Sequence, residues 1–213
     1  MIGQGVLREC LLDPGVERVL AIGRSPSGQT HAKLRDLVHR DLFDYSAIER
    51  ELTGFDACFF CLGVSSAGMS EQEYRRITYD LTIAAATTLA RVNPAMTFIY
   101  TSGAGADSTE RGPVAWARVR GALENALFRL PFRAVYSFRP AAVQPLHGIR
   151  SRTAMYRAFY AVGRPLWPLL KLLAPAYVST TEIIGRAMLQ VARHGAPKQV
   201  LENRDINAIV KRS

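Results

Sequence analysis

Residues 97–121 read TFIYTSGAGADSTERGPVAWARVRG, and this stretch predicts a strand, a tight loop and a helix in succession. The run 97–101 is apolar, β-branched and aromatic, which is typical of a buried strand. It ends at Ser102 and a small-residue loop that contains Gly103 and Gly105, a signal for a tight turn. Residues 114–130 are rich in Ala, Leu and Arg and therefore predict a helix.

Two large side chains of the predicted helix share one of its faces. Trp116 and Arg120 are four residues apart, so a helix presents them on the same side. Ser102 stands at the carboxyl end of the preceding strand, which is where open α/β sheets bind their ligands. The sequence thus predicts a ligand site above Ser102, with Trp116 and Arg120 pointing at it.

The same patterns predict further strands and helices along the chain. A capping box, Ser70 with Glu73, marks the start of the longest predicted helix. The other predicted strands are 18–22, 37–39, 56–61, 133–138 and an edge strand at 199–202, and the other predicted helices are 6–12, 46–52, 71–92 and 179–194.

The stretch around Ser102 resembles the segment of short-chain dehydrogenases/reductases that carries a serine and then Tyr-x-x-x-Lys. The resemblance is nearest to atypical members of the NAD-dependent epimerase/dehydratase type, in which the tyrosine is the proton donor and the lysine holds the ribose and lowers the tyrosine pKa. Ser102 matches the serine, but Trp116 stands at the tyrosine position and Arg120 at the lysine position. The resemblance implies a Rossmann-like, doubly wound parallel sheet. It assigns catalytic positions to Ser102, Trp116 and Arg120, and a cofactor contact to Arg120 as well.

The amino-terminal end departs from this resemblance. Family members begin with a strand and a Gly-x-x-Gly-x-x-Gly loop, and Gly3 matches the last of those glycines. The strand and the first two glycines are missing from the sequence, so we predict a Rossmann-like sheet without its first strand, which is central in this fold. Two interpretations remain, a start at a methionine inside the motif, which we favour, and a natural protein that lost the strand.

Several residues are expected to contact a dinucleotide cofactor. Arg24 follows the predicted strand 18–22, where an NAD-specific site carries an acidic residue. An arginine there suits a 2′-phosphate, so NADP is predicted, with NAD as the alternative and a plain surface arginine as the other interpretation of Arg24. By resemblance, Asp41 and Leu42 lie beside the adenine, Leu62 and Gly63 beneath the cofactor, and Pro140 and Ala141 near the nicotinamide.

The positive charge of the chain is unevenly distributed. The formal net charge is +9, and residues 111–171 carry eleven basic residues against one acidic residue, Glu124. Such a segment attracts phosphate on a nucleotide, a nucleic acid or an anionic membrane, or else it forms a solvated basic face. No nucleic-acid-binding motif accompanies the charge, so a specific nucleic acid is not predicted.

A single domain is predicted over residues 1–213. Within it, residues 147–178 form a helical region that mixes aromatic and basic side chains. Three interpretations are open: a cover over the substrate, a surface that docks on an anionic membrane or acidic partner, and helices packed on the body.

Cysteine and histidine placement argues against disulfide, redox and metal sites. Three cysteines are too few for a disulfide scaffold. Cys58 and Cys61 match C-x-x-C, but residues three apart in a strand face opposite sides, so both are predicted to be core residues. The four histidines show no metal-ligand spacing. With no signal peptide and no apolar run long enough to span a bilayer, a cytoplasmic protein is expected.

The substitutions at the catalytic positions leave two hypotheses open. Trp116 cannot ionise usefully and Arg120 stays charged at neutral pH, so neither serves as a general acid. The first hypothesis is an NAD(P)-dependent oxidoreductase or epimerase with Trp and Arg in place of the Tyr/Lys pair. The alternative is a catalytically inactive nucleotide-binding or interaction protein that docks on an anionic partner or membrane surface.

Overall fold

The fold alternates strands and helices along the chain. A computed structural model describes residues 1–149 and 174–211. The strands are β1 (Val19–Gly23), β2 (Leu34–Val38), β3 (Ala57–Phe60), β4 (Thr97–Thr101), β5 (Ala134–Arg139), β6 (Ala142–Gln144), β7 (Val178–Thr180) and β8 (Val200–Glu202). The helices are α1 (Ile2–Leu12), α2 (Glu71–Arg75), α3 (Leu81–Val92), α4 (Ala115–Leu127), α5 (Thr181–His194) and α6 (Asn203–Lys211). Among these described residues no helix is both long and apolar enough to cross a membrane.

Most predicted elements are present, with shifted ends. The strand predicted at 97–101 is β4, and the Ser70–Glu73 capping box opens α2. The helix predicted at 71–92 consists of α2, a π-helical turn (Arg76–Asp80) and α3. Helix α1 begins at Ile2 rather than at residue 6. Most of the predicted helical region 147–178 lies outside the described residues.

The strands pair in parallel, and their pairing has one break. One sheet has the order β3-β4-β5-β8, a second contains β1 and β2, and a short third contains β6 and β7. Within the described residues, neither the free edge of β1 nor the free edge of β3 pairs with another strand. This break lies where the resemblance expects its first strand.

The two larger sheets nevertheless form one layer between two groups of helices. On one face, Val19 of β1 and Phe59 of β3 pack in the same cluster as α1, α5 and α6. On the other face, Leu20 of β1 and Phe60 of β3 join a cluster with α3 and α4. Helices on both faces of a parallel sheet are the Rossmann-like, doubly wound arrangement predicted from the sequence.

The break in the sheet predicts uneven hydrogen exchange. In a parallel strand the amide groups point alternately to the two neighbours, so about half of those in β1 and β3 face the unpaired edges. We expect these amides to exchange on the order of a hundredfold faster than those of β4, which is paired on both sides. Exchange measured by NMR tests this, and equal protection in β1, β3 and β4 would show that the edges are paired in solution.

The cysteines pack in the two apolar clusters, with Cys10 buried and Cys58 and Cys61 partly buried. Cys58 belongs to the cluster under α3 and α4, whereas Cys61 and Cys10 belong to the cluster under α1 and α5. Cys58 and Cys61 therefore face opposite sides of β3, as the strand alternation predicts. Burial raises the pKa of Cys58 to about 12 and that of Cys61 to about 11, so both thiols stay protonated at neutral pH. No group of residues in the described ranges is arranged to hold a metal ion.

Candidate functional site

The loop after β4 is held against the end of β5. The N–H of Ser102 donates to the carbonyl of Phe138 at 2.8 Å, and the N–H of Ala104 donates to the carbonyl of Pro140 at 3.0 Å. Because β4 and β5 are parallel, both carboxyl ends meet at this edge of the sheet. Ser102 and Pro140, two of the predicted site residues, are thereby brought together.

Ser102 carries a buried hydroxyl without a hydrogen-bond partner. The residue is 5% exposed, and its Oγ contacts no donor or acceptor among the described residues. An unpaired buried hydroxyl costs on the order of 1–3 kcal/mol, so such a group calls for an explanation, and a bound ligand is one. Ser102 is the strongest single indication of a ligand site in this part of the chain.

The guanidinium of Arg120 lies beside the same loop. Its Nε donates to the hydroxyl of Tyr74 at 2.8 Å, and its Nη1 lies against Gly103. Burial opposes the charge, but Tyr100, Tyr74 and the more distant Glu124 raise the pKa of Arg120, so it remains a cation. Sequence reasoning did not place Tyr74 here, because α2 and α4 meet only in the folded chain.

Trp116 covers the loop from the preceding turn of α4. Its ring lies against Gly105, which has a positive φ of 89°. Trp116 and Arg120 therefore lie against Gly105 and Gly103 respectively, so both contact the loop after Ser102 from α4. The ring covers one side of the loop at Gly105 and is itself half-buried.

Asp107 fixes the second half of this loop. Its carboxylate accepts from the hydroxyl of Thr109 at 2.6 Å and from the N–H groups of Arg111 and Gly112 at 3.0 and 2.6 Å. The hydrogen bonds from Thr109 and Gly112 lower the pKa of Asp107, so it is ionised at neutral pH. Its N–H also donates to the carbonyl of Ala117 at 2.9 Å, which ties the loop to the first turns of α4.

A buried ion pair anchors the middle of α4 to β5. Glu124 is fully buried and accepts from the hydroxyl of Ser137 at 2.7 Å and from Nε of Arg139 at 3.0 Å. Arg139 also donates to Ser108 at 2.6 Å and to Glu202 at 3.1 Å. One arginine thus links α4, β8 and the loop after β4, with its charge matched inside the protein.

The other predicted cofactor residues follow the strand ends of the same edge. Arg24 and Gly63 come after β1 and β3, and both are exposed. Leu62 is exposed to 40%, whereas Leu42 is buried in the cluster under α3 and α4. The remaining members are Gly3 in the first turn of α1, Asp41 after β2, and Ala141 after β5, whose N–H donates to Asn203 at 3.1 Å. The structure shows no direct contact between Arg24 or Asp41 and the group around Ser102.

Features of this edge fit a dinucleotide. Helix α1 has no acidic residue in its first turn, so the dipole at its amino end favours an anion. Space around Gly63 is open, and the exposed apolar Leu62 beside it offers a surface for a ring. Arg24 makes no hydrogen bond or ion pair with other described residues, so its charge is available to a phosphate.

A separate cleft of about 660 Å³ lies at the amino ends of the strands. Its lining includes Arg18, Lys33, Arg50 and Phe55. Arg18 stacks on Phe55 at 4.6 Å and donates to the carbonyl of Gly54, and Lys33 donates to the carbonyl of Asp13 at 2.7 Å. This cleft is at the opposite edge of the sheet from Ser102, so it is not part of the site described above.

Comparison with known proteins supports the fold. No protein-family model matches the chain, and no curated protein matches it in sequence. Among solved structures it is similar to the Bordetella bronchiseptica enzyme WbmF in complex with NAD⁺, at 14% identity and a TM-score of 0.64 over 99% of this chain and 74% of that one. A UDP-galactose 4-epimerase is similar at 16% identity and a TM-score of 0.66, over 95% of this chain and 73% of that one.

A third similar structure is the ADP-L-glycero-D-manno-heptose-6-epimerase of Helicobacter pylori. It has 15% identity and a TM-score of 0.64, over 99% of this chain and 77% of that one. The chain covers between 66% and 77% of these and other similar structures. At such identities the likeness establishes the Rossmann-like fold, which the sequence predicted, and function has to be argued from the site.

Proposed function

We propose that this protein binds a nicotinamide dinucleotide across the carboxyl edge of its sheet, as an NAD(P)-binding protein of the atypical short-chain dehydrogenase/epimerase type. The observation that carries the proposal is the buried Oγ of Ser102, which has no hydrogen-bond partner among the described residues, next to Gly103, against which the Arg120 guanidinium lies. Both lie where parallel α/β sheets hold their ligands. The similar structures include an enzyme in complex with NAD⁺ and two epimerases, which supports the same class.

Different residues at this edge would bind different parts of the cofactor. Gly3 and the amino end of α1 would hold the diphosphate, Arg24 would hold a 2′-phosphate, which favours NADP, and Leu62 and Gly63 would contact the rings. When bound, the dinucleotide supplies or accepts a hydride. Asp41, Pro140 and Ala141 follow β2 and β5 at the same edge and would lie beside the bound cofactor.

Hydride transfer to a carbonyl also requires a proton at the carbonyl oxygen. Ser102 can donate a hydrogen bond to that oxygen, and Arg120 can stabilise negative charge beside it. Neither side chain releases a proton readily at neutral pH, and the Trp116 indole does not ionise usefully. Losing a positioned acid typically lowers the rate by about 10²–10⁴-fold, so slow turnover with intact binding is expected.

The packing of Trp116 favours a second candidate function. The Trp116 ring packs on Gly105 and covers the loop after Ser102, which is a structural role. The indole also supplies no proton donor at this position. This supports the alternative of a nucleotide-binding protein without turnover, which docks on an acidic partner or anionic membrane. Two cations of the 111–171 segment are not available for such docking, because Arg139 pairs with Glu124 and Arg118 pairs with Glu71.

Nucleotide titrations of the wild-type chain and two variants test the proposal. We expect saturable NADPH binding, and we expect Arg24→Gln to weaken it roughly tenfold while leaving NADH binding unchanged, because one charge-assisted phosphate contact is lost. Arg129→Gln is the matched control, since Arg129 is exposed and follows the end of α4. The proposal fails if a folded wild-type chain binds neither NADPH nor NADH.

The double variant Trp116→Tyr with Arg120→Lys separates the two candidate functions. A rise in NADPH-dependent reduction across a panel of carbonyl compounds supports a degenerate enzyme site. Unchanged turnover with intact NADPH binding supports the nucleotide-binding protein without turnover.

A further inference from the structure

The Arg120 guanidinium has few hydrogen-bond partners among the described residues. It has five N–H donors, and only Nε has a partner among the described residues, the hydroxyl of Tyr74 at 2.8 Å. No carboxylate forms an ion pair with it in that part of the chain. Glu124, on the same helix, is already bonded to Arg139 and Ser137.

The position of this unmatched cation is specific. Nη1 lies against Gly103, the residue that follows Ser102, and the Ser102 hydroxyl also has no hydrogen-bond partner among the described residues. A half-buried charge loses part of its hydration, and this cost is recovered when an anion pairs with it. The planar guanidinium offers two parallel N–H groups, the geometry that fits the two oxygens of a carboxylate or phosphate.

We propose that the substrate of this site carries a negatively charged oxyanion, a carboxylate or a phosphate, close to its reactive carbonyl. The two Nη groups of Arg120 bind the oxyanion in a bidentate manner, and the Ser102 hydroxyl donates to the neighbouring carbonyl oxygen. The inference rests on the proposed function for its choice of a carbonyl substrate. It limits the substrate class to oxo acids and phosphorylated carbonyl compounds, and it excludes neutral carbonyl compounds.

Tyr74 and Trp116 support this geometry from two sides. The hydroxyl of Tyr74 fixes Nε, which sets the plane of the guanidinium, and Tyr74 itself is buried. Trp116 packs on Gly105 and limits the space above the loop. A guanidinium held in a fixed plane loses little side-chain entropy when it binds an oxyanion.

A matched pair of ligands tests the charge directly. Pyruvate and methyl pyruvate share a carbonyl and differ in one negative charge, and inorganic phosphate supplies the second kind of oxyanion. Binding is followed by NMR through the indole N–H signal of Trp116, assigned with Trp116→Phe. We expect pyruvate or phosphate to saturate this shift in the wild-type chain, with methyl pyruvate at least about tenfold weaker.

Variants of α4 then locate the cation. Arg120→Gln is expected to weaken oxyanion binding about tenfold or more, and Arg120→Lys to retain part of it through the charge alone. Arg118→Gln is the matched control, because Arg118 lies on the same helix and pairs with Glu71 at 2.7 Å. Circular dichroism confirms that each variant is folded before titration.

The outcomes separate this inference from the proposed function. Equal binding of pyruvate and methyl pyruvate, no binding of either oxyanion, or unchanged binding in Arg120→Gln overturns the inference. The same titration with saturating NADPH distinguishes the source of the anion: simultaneous binding supports a substrate group, and displacement by NADPH overturns it in favour of a cofactor phosphate. If NADPH does not bind but the oxyanion does, the oxyanion site stands and the proposed cofactor does not.

Discussion

Replacing Glu124 with glutamine is expected to lower the free energy of unfolding by about 3 kcal/mol. Breaking one partner of a buried pair costs about 3–5 kcal/mol because the other charge stays buried and uncompensated, and glutamine retains one acceptor oxygen. Glu124 is fully buried and the Arg139 side chain is only 9% exposed, so water cannot replace the lost charge. Urea unfolding of the wild-type chain and Glu124→Gln measures the difference.

Two further variants identify the ion pair as the cause. Glu202→Gln removes the other acidic partner of Arg139, but the Glu202 side chain is 40% exposed, so a loss of less than about 1 kcal/mol is expected. The double variant Glu124→Gln with Arg139→Met removes both charges and should recover part of the stability. Wild-type stability of Glu124→Gln would contradict the buried pair.

The local parts of this fold were predictable from the sequence. Strand β4 and the loop at Ser102 follow from a short apolar run next to small residues, because strand burial and tight turns are encoded within a few positions. The capping box at Ser70 is likewise local, and it is formed as predicted. The placement of Arg24 and Gly63 at one edge follows from the rule that parallel strands end together.

The non-local contacts of the site were not predictable. Arg120 and Tyr74 are 46 residues apart, and only the docking of α2 on α4 brings them together. The sequence singled out Glu124 as one acid in a basic segment, but not its burial against Arg139, because a charge pattern does not reveal which side chain turns inward. The pairing of β6 with β7 was also missed, because three-residue strands carry no periodic signal.

Helix α6 was missed although a signal for it exists. Ile206, Ile209 and Val210 recur at helical spacing, and all three pack in the cluster under α1 and α5. The segment directly follows β8 and contains Asp205 in its first turn, which suits a helix start. Helix α6 is only nine residues long, so its apolar spacing was overlooked, although the helical spacing rule can detect it.

Replacing Gly121 with alanine is expected to destabilise the protein and to disturb the site at once. A Cβ atom built on Gly121 would lie 1.7 Å from the carbonyl oxygen of Asp107 and 2.9 Å from the backbone nitrogen of Ser108. Both neighbours are backbone atoms, so either α4 or the loop must move. Such overpacking costs about 1–3 kcal/mol and more in rigid places, which exceeds the gain of up to about 1 kcal/mol in helix propensity.

The displacement should reach the ligand site, because Arg120 precedes Gly121 and lies against Gly103. We therefore expect Gly121→Ala to lose about 3 kcal/mol of stability and to weaken NADPH and oxyanion binding at least tenfold in the fraction that stays folded. Ala126→Gly on the same helix is the matched control, with a loss of about 1 kcal/mol and unchanged binding. Thermal unfolding and the Trp116 indole signal report the two effects separately. If Gly121→Ala had wild-type stability and wild-type binding, α4 would not approach the loop as closely as described. The contact between Arg120 and the loop after Ser102 would then also be contradicted.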